Sequence, residues 1–336
     1  MCADLKSRYL GLMLKNPIVA SASPLTGNLE SLQQLETAGV AAVVLPSLFE
    51  EQLVHDEQQF HALYEYPGGV DAESHSLFPD GLHYNLGPQS YLSLVKSAKN
   101  NLSIPVIGSL NGASTGGWER YSRAIESAGV DALELNICFV PTDPEMSSGE
   151  VEDQYVELVQ TIRQCITIPL AIKIGPQFSS LPHFASRLAD AGADGLVLFN
   201  RFLEPDIDLS TLQIAPRLLL SNHSDFRLPM QWIAILRDQL KLSLAATSGV
   251  HTPADAIKLL LVGADAVMTT SLLLNRGVDH LRDFITWLEN WLEVNEYDSI
   301  DQLKGSMSHQ NCPDPSDLER TNYVKTLMSY TSSNLS

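Results

Sequence analysis

The stretch Ala191-Gly192-Ala193-Asp194-Gly195 decides the fold class of this chain of 336 residues. It ends a segment of helical character and precedes the short run 196–200, which is apolar except for its last residue. Glycine fits the left-handed position just past a helix end, and four or five apolar residues suit a buried strand better than a helix. The stretch therefore predicts a junction between a helix and a buried strand.

Three further junctions share this pattern: Ala38-Gly39-Val40-Ala41, Ala128-Gly129-Val130-Asp131-Ala132 and Val262-Gly263-Ala264-Asp265-Ala266. Four more short apolar runs lack the glycine junction and lie at residues 18–22, 106–110, 170–174 and 244–247. Together the eight runs alternate with segments of helical character. This alternation predicts an α/β fold, the (β/α)8 TIM barrel, which typically needs about 250 residues.

The predicted barrel accounts for residues 1–305, with three segments that depart from its rhythm, one of which is the eleven-residue loop 138–148 after the fourth strand. The longest is the insertion 46–87 after the second strand, and loops of this length in a compact domain usually serve a function. The segment 201–229 contains proline and is predicted to be irregular. Residues 306–336 form a C-terminal helical appendix, with one helix over 318–328, which we expect to pack on the barrel or on a partner.

Composition excludes several classes of function. The net charge of −19 repels phosphate backbones, and no cluster of lysine and arginine offsets it, so we expect no nucleic-acid partner. No run reaches the roughly 18 apolar residues of a membrane span. The first strand begins too early for a signal peptide or a membrane-docking arm, which predicts a cytoplasmic protein without membrane contact. The cysteines and histidines lack metal-ligand spacing, so no metal site is predicted.

Polar residues fall at the carboxyl ends of three neighbouring strands. Alternate residues of a barrel strand point into its interior, and chemistry collects where strands meet the loops that follow them. This alternation assigns to the interior of strands four, five and six the residues Glu134, Asn136, Lys173, Leu196, Leu198 and Asn200. Burying a lysine and two amides in a barrel mouth is costly unless a ligand satisfies them. For Lys173 the alternative is an internal ion pair with Glu134.

Several short motifs occur in order along these strands: Asn16-Pro17, Ala20-Ser21-Ala22, Leu133-Glu134-Leu135-Asn136, Ile172-Lys173-Ile174, Asn200, Ser248-Gly249-Val250 and Gly263-Ala264-Asp265-Ala266-Val267-Met268. Through them the chain resembles a divergent branch of the dihydroorotate dehydrogenases, from Leu10 to about Gly305. The resemblance implies an FMN-dependent barrel of the soluble type, which oxidises dihydroorotate to orotate in de novo pyrimidine synthesis. It also implies a soluble electron acceptor and a homodimer.

The resemblance further implies a site across the barrel mouth. The implied cofactor-binding residues are Ala20, Ser21, Ser47, Asn111, Asn136, Lys173, Asn200, Ser248, Gly249, Val250, Thr270 and Ser271. The phosphate of FMN would lie at the loops after strands seven and eight. Lys173 would lie beside N1 and the C2 carbonyl of the flavin, where its charge favours the reduced cofactor. The implied substrate-binding residues are Asn85, Asn136, Asn200 and Arg201.

Seven residues depart from the family pattern. The Lys-Thr pair expected after strand two is Pro46-Ser47, and the hydroxyl residue expected after Asn200 is Arg201. Ser248 and Thr270 replace glycines of the phosphate loops. The family's base, a cysteine or serine three residues past Asn136, is Phe139, and an expected substrate-binding asparagine is Pro141. The flavin-binding positions are therefore better kept than those that bind the pyrimidine.

Two residues near these departures allow alternative interpretations. Cys138 neighbours the missing base, so it is either a shifted base in thiolate form or a packing residue. Arg201 either pairs with a substrate carboxylate or bridges to Glu204 or Asp206 on the surface.

The main functional hypothesis is an FMN-dependent oxidoreductase that resembles dihydroorotate dehydrogenase and acts on a small-molecule substrate. One alternative is a flavin-binding or empty barrel without dihydroorotate activity. The other is an FMN enzyme that acts on a different small carbonyl or carboxylate substrate.

Overall fold

The structure, a computed structural model, describes residues 3–49, 87–112, 118–201, 204–215 and 218–329. Its centre is a barrel of eight parallel strands: β1 Ile18–Ala20, β2 Ala42–Val44, β3 Val106–Gly112, β4 Ala132–Ile137, β5 Leu170–Ile174, β6 Gly195–Leu198, β7 Ser243–Ala246 and β8 Ala266–Thr269. Each strand pairs with the next along the chain, and β8 pairs with β1 to close the barrel. The predicted (β/α)8 fold is confirmed.

A helix follows each strand in the order of the chain: α1 Leu29–Ala38, α2 Pro88–Asn101, α3 Trp118–Ser127, α4 Ser148–Cys165, α5 Leu181–Asp190, α6 Arg227–Leu236, α7 Pro253–Leu261 and α8 His280–Val294. Helices α4 and α7 begin with capping boxes at Ser147 and Thr252, which satisfy backbone donors of the first turn. Shorter helices lie at Ser271–Arg276, Ile300–Leu303 and Arg320–Ser329. Among the described residues, no helix combines the length and the apolar character of a membrane span.

The four glycine junctions connect helices to strands as predicted. Gly39, Gly129, Gly192 and Gly263 have φ of 110°, 102°, 104° and 116°, in the left-handed region that favours glycine. The aspartate that follows three of these glycines has a structural role at the amino end of the barrel. Each carboxylate accepts a hydrogen bond from a backbone N–H near the start of an earlier strand, at 2.7 to 2.9 Å. Each also pairs with a basic residue in a helix or at its C-cap: Asp131 with Lys99, Asp194 with Arg163, and Asp265 with Arg237.

The barrel interior is a separate apolar layer from the one between strands and helices. It contains small and branched residues of the strands, among them Val19, Ile107, Ala171, Val197 and Met268. Tyr9, from the N-terminal hairpin Ser7–Tyr9 with Leu12–Leu14, belongs to the same layer.

The inward assignment holds for β4 and β5 and is wrong for β6. Val197 lies in the interior, whereas Leu196 and Leu198 pack in the outer layer with residues of the helices. Both faces of a parallel barrel strand are buried, so three consecutive apolar residues carry no sign of which face is inside.

The segment 201–229 is more regular than predicted. Asp206–Asp208 and Gln213–Ala215 form an antiparallel hairpin, a 3-10 helix spans His223–Phe226, and α6 begins at Arg227, three residues before the predicted start. In the appendix, the carbonyl of Leu318 accepts a hydrogen bond from the Gln231 side chain of α6 at 2.8 Å. The helix Arg320–Ser329 follows and has no buried residue.

Candidate functional site

Each of the eight strands leads to one residue of the predicted site. The carboxyl ends of parallel strands form a single rim in a closed barrel, so these residues surround one mouth. In strand order from β1 to β8 they are Ser21, Ser47, Asn111, Asn136, Lys173, Asn200, Ser248 and Thr270. Ala20 instead packs in the outer apolar layer, and Asn85 lies outside the described residues.

Three of these polar residues are direct neighbours across the sheet. Asn111 of β3 is in register with Asn136 of β4, and Asn136 is in register with Lys173 of β5. Asn136 and Lys173 are each 8% exposed. The amide Oδ1 of Asn136 has no hydrogen-bond partner within the described part of the chain. A buried, unpartnered acceptor beside an ammonium group is typical of a site that a ligand completes.

An ion pair lies below this group in the barrel. Lys173 Nζ is 3.5 Å from Glu134 Oε1, and Glu134 is 1% exposed. A charge-assisted hydrogen bond prefers about 2.7 to 2.9 Å, so the contact leaves donors of the ammonium available to the mouth. Burial, the charge of Glu134 and then that of Asp265 raise the pKa of Tyr9 well above its usual value, which keeps this deeper phenol neutral. The ion pair with Glu134, considered above as the alternative for Lys173, is present in the structure.

A cavity of about 590 Å³ opens beside the carboxyl ends of β5, β6 and β7. Three predicted site residues line it: Asn200, Arg201 and Ser248. Its wall also contains polar side chains that the sequence interpretation missed: Gln177, Glu204, Asn222, Ser224, Asp225 and Arg227. The spacing of Asn222 and Asp225, a capping box at the start of the 3-10 helix, was the available signal for part of this set.

Arg201 is one of the charged residues of this cavity wall. Glu204, one of the two surface partners considered above, lines the same wall. A guanidinium group can bind a carboxylate through two parallel hydrogen bonds. The position of Arg201 is therefore compatible with an acidic group on the substrate.

The loops after β7 and β8 are held tightly. Ser248 and Gly249 have φ of 79° and 73°, and a Cβ at Gly249 would lie 2.1 Å from the backbone nitrogen of Phe226. The Thr269 hydroxyl donates to the carbonyl of Val250, and the Thr270 hydroxyl donates to that of Ser21, both at 3.4 Å. These contacts join the predicted phosphate loops to each other and to the end of β1.

In the loop after β4, Phe139 occupies the position of the family's base. Cys138 would share the inward face of Asn136 only if β4 ran one residue further, but the strand ends at Ile137 and Cys138 is exposed. Phe139 is partly buried against the outer apolar layer. Although the Cys138 side chain is exposed to solvent, the protein atoms packed around its thiol reduce the solvation of the thiolate and raise the pKa above its ordinary value, which favours the protonated form.

Alkylation tests whether Cys138 is a thiolate. In the protein without cofactor, the rate of modification by iodoacetamide should rise with pH, with a midpoint above the free-thiol value of about 8.5. Mass spectrometry of the Cys138 peptide measures this rate, and the urea-unfolded protein, which should return to the ordinary midpoint, is the control. A midpoint near neutral pH in the folded protein would contradict the expected direction.

The closed barrel and its polar rim define an enzyme class: (β/α)8 proteins with the active site at the carboxyl ends of the strands. Comparison with known proteins gives the family. A sequence model described as dihydroorotate dehydrogenase matches residues 4–292, and the chain belongs to this family of oxidoreductases.

Similar proteins come from Thermoplasma acidophilum and Lactobacillus delbrueckii subsp. bulgaricus. The chain is 24% identical over 307 residues to dihydroorotate dehydrogenase B (NAD(+)), catalytic subunit, of Thermoplasma acidophilum, which covers 90% of this chain and 98% of that protein. It is 27% identical over 269 residues to dihydroorotate dehydrogenase A (fumarate) of Lactobacillus delbrueckii subsp. bulgaricus, over 78% of this chain and 85% of that protein. The resemblance stated from the motifs is confirmed, and enzymes of this family generally use FMN.

Proposed function

We propose that this chain binds FMN across the barrel mouth and exchanges a hydride with a small substrate that carries a carbonyl or carboxylate group. The observation that carries the proposal is the row formed by Asn111, Asn136 and Lys173, which offers amide groups and an ammonium on adjacent strands. The unpartnered Oδ1 of Asn136 fits the N–H edge of a flavin. When bound, FMN supplies the position that accepts or donates the hydride.

The residues of the rim have separable roles in this proposal. Lys173 donates hydrogen bonds and provides positive charge where the cofactor gains electrons, and Glu134 holds its side chain in place from below. Ser248, Gly249 and Thr270 hold the phosphate loops in one conformation. Arg201 binds the acidic group of the substrate within the cavity beside β6.

Dihydroorotate is the first substrate to test, although the residues around β4 favour a second candidate. A phenyl ring at Phe139 cannot accept the proton that the family's base removes, and the pKa of Cys138 is shifted in the wrong direction for a replacement. These two observations favour a different small carbonyl or carboxylate substrate, for which Arg201 supplies recognition.

The proposal includes a homodimer, a soluble electron acceptor and a cytoplasmic location. The hairpin beside the cavity exposes four large apolar side chains, between 57% and 83% exposed: Ile207, Leu209, Leu212 and Ile214. Apolar groups clustered in this way are typical of an interaction surface. Analytical ultracentrifugation of the wild type and of Leu209→Ser/Leu212→Ser tests the dimer, which the double variant should weaken; a monomeric wild type would contradict it.

The direct test is the absorption spectrum of the flavin-loaded protein under anaerobic conditions. Dihydroorotate is added first, then other small carboxylates, each with its carboxamide as the matched control. Bleaching of the flavin by a carboxylate and not by its carboxamide supports the proposal. NAD(+) and fumarate, named for the relatives, are the first acceptors to test for reoxidation. If the protein binds flavin and no substrate reduces it, the result would contradict the proposed enzyme and favour the flavin-binding barrel.

A further inference from the structure

Three side chains from the segments that follow β6, β7 and β8 form one hydrogen-bonded chain at the mouth. Ser221 lies after β6, His251 after β7 and Ser271 after β8. The Ser221 hydroxyl donates to Ser271 Oγ at 2.8 Å, and His251 Nε2 lies 3.3 Å from the Ser221 hydroxyl. The backbone N–H of Ser221 also donates to Ser271 Oγ, at 3.1 Å. The chain therefore connects the loops that follow β6, β7 and β8.

The donor count fixes the direction of this chain. Ser271 Oγ accepts two hydrogen bonds from Ser221, which occupy both of its lone pairs. Only the hydroxyl proton of Ser271 is then left for a further hydrogen bond, so Ser271 can donate to a ligand but cannot accept from one. The Ser221 hydroxyl uses its proton to donate a hydrogen bond to Ser271, so in the contact between Ser221 and His251 the Nε2–H of His251 must be the donor.

The backbone around His251 is held by a buried carboxylate. Asp255 is fully buried, and its Oδ2 accepts from the N–H groups of His251 and Thr252 at 3.1 and 2.8 Å. His223 Nδ1 lies 3.1 Å from the same oxygen. The imidazole of His251 is thus presented to Ser221 from a fixed loop.

We propose that Ser221 and His251 are positioning residues for an anion, the phosphate of FMN, which the Ser271 hydroxyl binds as an obligate donor. This inference rests on the proposed function, because it needs the flavin to bind at the mouth. It explains how the loops can bind phosphate although Ser248 and Thr270 replace glycines. Side chains at these two positions restrict the close approach of the backbone to the phosphate, which glycine permits. Oriented hydroxyl donors replace part of the backbone cradle.

Comparison of FMN with riboflavin, which lacks the phosphate, tests this inference. Dissociation constants for both flavins are measured by fluorescence quenching on the protein freed of cofactor. Ser271→Ala should weaken FMN binding by about tenfold or more, the usual cost of losing a hydrogen bond to a charged group. Ser221→Ala and His251→Leu remove neutral hydrogen bonds that position Ser271, so each should weaken FMN binding by about fivefold. Riboflavin binding should change by less than about twofold. Ser221→Thr, which keeps the hydroxyl, should recover most of the FMN affinity.

Ser306→Ala is the matched control, because Ser306 lies near the end of α7 at the opposite end of the barrel and its hydroxyl has no partner among the described residues. Equal weakening of FMN and riboflavin, or unchanged FMN binding, would overturn the positioning roles while leaving the proposed function intact. A wild-type protein that binds neither flavin would overturn both. Riboflavin binding by each variant also reports that the mouth is still folded.

Discussion

Replacing Lys173 by alanine is expected to lower the midpoint potential of bound flavin by about 30 mV or more, equivalent to about 1.4 kcal/mol for a two-electron couple. The ammonium of Lys173 lies on the rim of the barrel, and a positive charge there stabilises the negative charge that reduction brings. Reduction of the flavin by substrate should also slow by about 100-fold, the usual cost of removing a preorganised donor. Spectroelectrochemistry and anaerobic stopped-flow spectroscopy measure the two effects.

The same substitution should reduce stability, because it leaves Glu134 buried without its counter-charge. Removing one partner of a buried ion pair typically costs about 3 to 5 kcal/mol, and urea unfolding measures it. The double variant Lys173→Met/Glu134→Gln should recover most of the stability of the wild type, but its flavin midpoint potential should stay as low as that of Lys173→Ala. Lys99→Ala, which breaks the ion pair with Asp131 at the other end of the barrel, is the control for potential. An unchanged potential in Lys173→Ala would contradict the assigned role.

Among glycine-to-alanine substitutions at the barrel mouth, Gly249→Ala is expected to cause the largest loss in the free energy of unfolding. The new Cβ would lie 2.1 Å from the nitrogen of Phe226 and 2.7 Å from the carbonyl carbon of Asp225, and both are backbone atoms that cannot move aside cheaply. The φ of 73° adds strain for any residue with a side chain. The two effects together should cost about 3 to 5 kcal/mol, and the displaced loop should weaken FMN binding.

Gly277→Ala separates the two contributions. Gly277 has a similar φ of 81°, but a Cβ there would meet no atom within 4 Å. Its substitution should therefore cost only the conformational strain, about 1 to 2 kcal/mol. Urea unfolding of both variants measures the difference. Equal losses for the two would show that the contact with the 3-10 helix does not matter for the loop.

The glycine junctions made the barrel predictable because each carries a local requirement. A left-handed residue after a helix selects glycine, and the apolar run after it is too short for anything but a strand. The inward faces of β4 and β5 were equally predictable, since Glu134, Asn136 and Lys173 break the symmetry of otherwise apolar strands. In β6 no polar residue distinguishes the two faces of 196–198, and the assignment of the face was wrong.

Other features depend on contacts between distant parts of the chain. Ser221 is 30 residues from His251 and 50 residues from Ser271, so no local spacing connects them. The hairpin Asp206–Asp208 with Gln213–Ala215 exposes its apolar side chains. Strand prediction from apolar runs assumes that those runs are buried, so it does not find this hairpin. The cavity beside β5 to β7 likewise exists only because three loops meet.

A titration of the purified, cofactor-free protein with FMN tests directly whether the barrel mouth is a flavin site. Absorption and fluorescence spectra follow the binding, and Lys173→Ala is measured in parallel. We expect saturable binding of one FMN per chain and quenched flavin fluorescence. The visible absorption band of bound flavin should also be altered in the wild type and not in Lys173→Ala. A colourless protein that fails to bind added FMN would contradict the assignment of the barrel mouth as a flavin site.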